Sequence, residues 1–163
     1  RAWSTVDRRI ELHVTLAGHR AAGLSATYHA VDVADAGALA HVLAAVREAT
    51  RLQPDPAADH RPWTTMAALQ RQEGDLAGAR ETAQRVVDAD PGLGLAWNLL
   101  GTVLDELGRD EDAERALARA IELGPQRSAP MARLRAMRDR HEQSGDAAGV
   151  ARVDAHLRRL GLS

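Results

Sequence analysis

The sequence predicts a mainly α protein, a solenoid of antiparallel helix hairpins preceded by a helix-strand-helix segment. Three observations carry this reading. Of 163 residues 33 are alanine, none is phenylalanine, one is tyrosine and three are tryptophan. Small side chains must therefore do most of the packing. Alanine loses no rotamer entropy in a helix and lets backbones approach closely, which disfavours an all-β fold. Distinctive residues also recur at a spacing of 34: Trp63 and Trp97, Gly74 and Gly108, Ala79 and Ala113, Pro91 and Pro125. Finally, residues 53–62 hold three prolines, which no continuous helix can cross. The chain thus divides into a segment 1–53, a linker 54–59, and repeats 60–93, 94–127 and 128–163.

Within the first segment, Ser4-Thr5-Val6-Asp7 has the form of a capping box. The apolar series Val6, Ile10, Val14, Ala17 and Ala21 then runs to Gly23, predicting a helix over 5–22. Residues 25–33 are rich in strand-favouring side chains and read either as a strand or as an extended connector. Leu39, Val42, Leu43 and Val46 predict a second helix over 36–50.

In each 34-residue unit an apolar-periodic stretch opens at the tryptophan and breaks at Gly74 or Gly108. A second stretch follows and stops at Asp90-Pro91 or Gly124-Pro125. Gly101 and Ala113 are small where the two helices would cross. A hairpin this short cannot bury its apolar face alone, so each must lean on the next.

These residues resemble the tetratricopeptide repeat. Unit 94–127 supplies Trp97, Leu100, Gly101, Ala113 and Pro125, with Leu104 and Leu117 at the family's Tyr and Phe places. Unit 60–93 keeps Trp63, Ala79 and Pro91, with Met66, Ala67, Gln70 and Ala83 elsewhere. Residues 128–160 read as a third, degenerate unit, in which Gly145-Asp146-Ala147-Ala148-Gly149 echoes Gly74-Asp75-Leu76-Ala77-Gly78. That echo falls 37 residues after Gly108, so the third unit's first helix should gain nearly one turn. Its arginines suit a solvated capping repeat.

Residues 20–35, with Gly23, Tyr28 and Asp32, are similar to the middle of a short-chain dehydrogenase nucleotide fold of the polyketide ketoreductase type. The resemblance implies Asp32 beside the adenine of NADP, and an alternative reading of the chain as a ketoreductase fragment with a repeat appendage. The upstream glycine-rich turn that holds pyrophosphate is missing. Because all 21 basic residues are arginine, no catalytic Tyr-x-x-x-Lys and no Walker-type phosphate loop can form.

Other chemistries are excluded on similar grounds. Without cysteine there is no disulfide, thiolate nucleophile or zinc–sulfur site. The seven histidines include no pair three or four apart, so no helix face offers a metal-binding pair. They are expected to be surface or partly buried side chains. Gly92-Leu93-Gly94 has Trp97 where a dinucleotide fingerprint needs its third glycine, and Ser25 lacks the closing glycine of a hydrolase elbow. The acidic series Asp105, Glu106, Asp110, Glu111, Asp112 and Glu114 reads as solvated helix-start chemistry. A formal charge of −2 and an absence of aromatics among the C-terminal arginines argue against nucleic acid. No apolar run is long enough to span a bilayer. We expect no enzymatic activity, cofactor or metal, no nucleic-acid or membrane partner, and a cytoplasmic setting. With arginine at residue 1, the sequence also reads as a piece of a longer protein.

The resemblance implies a concave groove lined by the first helices of the units. Its ligand-facing places fall on Arg61, Thr64, Ala68, Arg71 and Gln72 in the first unit, and on Leu95, Asn98, Thr102, Asp105 and Glu106 in the second. Arg133 and Arg140 are the candidates in the third. The expected partner is a peptide or helix of another protein, held by apolar contact, by Asn98, and by arginine forks on carboxylates.

Overall fold

The computed structural model describes residues 9–10, 31–32, 36–52 and 54–162. The chain divides into two compact units, Arg1–Pro54 and Asp55–Ser163.

In the first unit, β1 (Arg9–Ile10) pairs antiparallel with β2 (Val31–Asp32), Arg9 opposite Asp32 and Ile10 opposite Val31. Helix α1 (Ala36–Leu52) follows and buries Val42, Leu43, Val46 and Ala49 along one face. The helix-strand-helix expectation is corrected here. Arg9 and Ile10 lie inside the helix predicted over 5–22 yet form a strand, because pairing with a distant segment overrides a local apolar period. The rest of 5–22, with Ser4 and its capping box, falls outside the described residues. The second predicted helix, 36–50, is α1.

Six helices make up the second unit: α2 (Arg61–Gln72), α3 (Leu76–Ala89), α4 (Gly94–Glu106), α5 (Asp110–Leu123), α6 (Ser128–Ser144) and α7 (Ala147–Arg159). Helices α2 and α3, α4 and α5, and α6 and α7 form antiparallel hairpins. The first helices stack as α2-α4-α6, and each second helix also packs on the first helix of the next hairpin. Helix α6 has 17 residues against 13 for α4, the lengthening that the 37-residue offset predicts. One apolar core runs through the stack, from Ala67 and Val86 through Leu100, Leu117 and Ile121 to Leu134, Met137 and Val153.

All three hairpin turns use the same device. Gly74, Gly108 and Gly145 take left-handed φ values of 84°, 70° and 75°, a conformation in which a Cβ is strained. The next residue's N–H then reaches back to the helix it has left: Asp75 to the carbonyl of Gln70 at 2.9 Å, Arg109 to Leu104 at 2.9 Å, and Asp146 to His141 at 2.8 Å. The carboxylates of Asp75 and Asp146 go on to cap α3 and α7, accepting from the N–H of Gly78 and Gly149 at 2.9 Å each. Arg109 occupies that place before α5 and gives no side-chain cap. Asp110, Glu111 and Asp112 in the first turn put negative charge at the helix start instead.

The crossing of the two helices changes side chains from hairpin to hairpin. In the first, its places fall by the 34-residue offset on Ala67 and Ala83, both buried. Thirty-four residues on it joins Gly101 and Leu117, where a Cβ added at Gly101 would lie 2.8 Å from Leu117 Cγ. In the third hairpin the same place holds Arg138 and Asp154, ion-paired at 2.7 Å and partly exposed.

Candidate functional site

The predicted groove residues of α4 form one stripe, Leu95, Asn98, Thr102 and then Asp105 and Glu106, at the three- and four-residue spacing of a helix face. Ion pairs show where the stripe points. Glu106 accepts from Arg71 of α2 at 2.7 Å, and Asp105 accepts from Arg133 and Arg140 of α6 at 2.9 and 2.7 Å. Arg140 also reaches Asp110 at 3.0 Å. The carboxylate end of the stripe therefore faces the side on which α2 and α6 flank α4.

The structure thus brings Arg71, Asp105, Glu106, Arg133 and Arg140 into one network across three hairpins. The Asp105 side chain is only 9% exposed, and its pairing with Arg140 holds that guanidinium's pKa above its usual value, chiefly through the hydrogen bond. These arginines hold the repeats to one another through the protein's own carboxylates. The Nε of Arg71 is buried without an acceptor.

Arg61 stands apart from this network. It forms a two-pronged pair with Asp59 at 2.9 and 3.0 Å, and that hydrogen bonding lowers the Asp59 pKa. Thr64 gives its hydroxyl to the Arg61 carbonyl at 3.0 Å, Ala68 is half-buried, and Gln72 is exposed at the end of α2. On α4, Leu95 is 50% exposed, Asn98 is partly exposed with no side-chain hydrogen bond among the described residues, and Thr102 is nearly buried.

A second polar cluster contradicts the sequence reading. Glu114, expected among solvated helix-start carboxylates, is 1% exposed. It meets His141 Nε2 at 3.2 Å and Arg152 Nε at 3.2 Å. His141, expected as a surface or partly buried side chain, is fully buried, and its other ring nitrogen lies 2.9 Å from Asp146. Asp105 is likewise withdrawn from solvent, and five of the C-terminal arginines (133, 138, 140, 152 and 159) are ion-paired rather than freely solvated. The cause is position in the stack: α5 is flanked by α4, α6 and α7 and buries most of its circumference, so a carboxylate there must find partners. Room for the His141 ring comes from Gly149, whose added Cβ would collide with it. The first hairpin repeats the arrangement with Gln70 over Gly78, which explains why the Gly-Asp-x-Ala-Gly sequence recurs. A polar residue in the last turn of the first helix, paired with that second glycine, was the available signal.

Among the described residues no group of three or more histidines and carboxylates could hold a metal ion, and no helix is long and apolar enough to cross a membrane. Asp32 sits in an antiparallel two-strand pairing, whereas a dinucleotide fold carries its acidic residue among parallel strands.

Hairpins repeated at offsets of 34 and 37 residues, each turned at a left-handed glycine and joined through one continuous core, define a helical-repeat protein. Residues 70–137, about two-fifths of the chain, match the family model described as tetratricopeptide repeat. Such repeats are protein–protein interaction modules. No curated protein matches the chain.

Proposed function

We propose that the chain is a non-enzymatic interaction module that holds an extended peptide or a helix of a partner protein along α4, in the groove between α2 and α6. The observation that carries this is Leu95, half exposed, one turn from Asn98, whose amide makes no hydrogen bond among the described residues. The leucine takes an apolar side chain, and the amide can donate to and accept from a backbone. Thr64, Ala68, Gln72 and Thr102 border the same strip. Arg71, Arg133 and Arg140 act on the partner indirectly, because their ion pairs fix the spacing of the three helices. A cytoplasmic setting is part of the proposal.

The test takes the partner captured by the 163-residue chain, narrows it to a synthetic segment, and measures its affinity calorimetrically. Leu95→Asp and Asn98→Ala, both at the surface, should each weaken binding roughly tenfold. Unchanged affinity in both variants would refute the groove assignment.

A further inference from the structure

On the other face of the stack, the second helices are not spaced evenly. Helices α5 and α7 pack against each other, whereas the backbones of α3 and α5 do not approach closely. Between them lies a cleft of about 490 Å³ whose floor is Trp97, Leu100 and Leu104 of α4. Its walls carry Arg80 from α3, and Arg109, Arg115 and Arg119 at the start of and along α5.

The charge of this cleft is unbalanced. Four guanidinium groups line it against one carboxylate, Asp112, which is shared by Arg109 and Arg115. Arg119 is paired outside the cleft with Glu122 at 3.0 Å, and Arg80 has no ion-pair partner among the described residues. Arg80 faces Arg115 and Arg119 from the opposite wall, and like charges brought together resist closure of α3 onto α5. An anion placed between the walls would remove that repulsion.

The shape favours a linear anion over a compact one. Arg109 and Arg119 are ten residues apart, about 15 Å along the α5 axis, the length of four to five residues of extended chain at about 3.3 Å each. Guanidinium forks match carboxylates, and the tryptophan and leucine floor takes an apolar side chain between them.

We propose that the α3–α5 cleft is a second docking site, distinct from the groove, for an acidic peptide segment of a partner protein with an apolar residue among its carboxylates. The site stands on its own geometry and does not depend on what the groove binds.

The probe is a fluorescent, end-blocked hexapeptide of glutamates with one central leucine, titrated by anisotropy into the full chain at low salt. The expected result is saturable one-to-one binding, tighter than that of hexaglutamate. It should weaken roughly tenfold or more in Arg80→Glu/Arg115→Glu and stay unchanged in Asn98→Ala. The control Arg135→Glu/Arg158→Glu makes the same change of net charge away from the cleft and should leave binding intact. Circular dichroism confirms that each variant is folded. The proposal is overturned by any of four results: no saturable binding, equal loss in the control, loss in Asn98→Ala instead of the cleft variant, or displacement of the peptide by tripolyphosphate or oligothymidylate at lower concentration than by unlabelled peptide.

Discussion

Replacing Gly101 by alanine sets helix propensity against packing. Alanine is favoured over glycine inside a helix by about 1 kcal/mol. At this site, however, the new methyl would lie 2.8 Å from Leu117 Cγ and 3.0 Å from its Cδ2, and the leucine is fully buried. Overpacking of that kind costs about 1–3 kcal/mol, so Gly101→Ala should lose up to about 2 kcal/mol net. Leu117→Ala alone opens a cavity and should cost about 2–5 kcal/mol. The double variant recreates the Ala67–Ala83 pair of the first hairpin, and the new methyl fills part of the space the leucine leaves. Its loss should therefore fall short of the sum by about 1–2 kcal/mol. Urea denaturation of the four proteins, followed by far-ultraviolet circular dichroism, measures the coupling. Additivity within about 0.5 kcal/mol would mean that the two side chains do not share a site, and the alignment of the hairpins would be wrong.

Arg109→Asn supplies α5 with the N-cap that α3 and α7 already have, and the same denaturation assay should show a gain of about 1 kcal/mol. Glu114→Ala leaves the buried His141 without that partner and removes one acceptor from the part-exposed Arg152, and should cost about 1–3 kcal/mol, whereas Glu111→Ala, exposed on the same helix, should be nearly silent by thermal melting. Burial lowers the pKa of His156, with Arg159 and Arg115 adding to the effect and Glu114 and Glu122 of α5 opposing it. The unfolded chain therefore binds more protons than the folded one below about pH 6.5, so stability should fall with acidification from about pH 7. His156→Asn should flatten that fall in melts taken at successive pH values, and an unchanged slope would assign it elsewhere.

The hairpins were legible because their signals are local. Gly74 and Gly108 each end a helix through their own backbone, and the tryptophan, alanine and proline spacing survives in the one-dimensional chain. What escaped depends on distances between helices. Resemblance assigns Asp105 and Glu106 to a groove, yet their pairing with arginines 28 to 35 positions away follows only from the stacking of α2, α4 and α6. Glu114 looked like its neighbours Glu111 and Asp112 on the same helix. Its burial follows from the three helices that surround α5, a fact no window of sequence contains. Arg9 and Ile10 failed differently, since their apolar period suits a helix while their strand pairing comes from residues more than twenty positions away. Leu95 and Asn98 are placed in a groove by resemblance alone, whereas the ion pairs that Asp105 and Glu106 of the same helix make with α2 and α6 form only once the hairpins stack.

The most direct test of the interaction reading is hydrogen exchange on the full chain with and without the captured partner segment, resolved along the helices. Protection gained along α4 at residues 95–102, with the facing residues of α2, is the predicted result. Protection confined to other surfaces, with α4 unchanged at saturation, would contradict it.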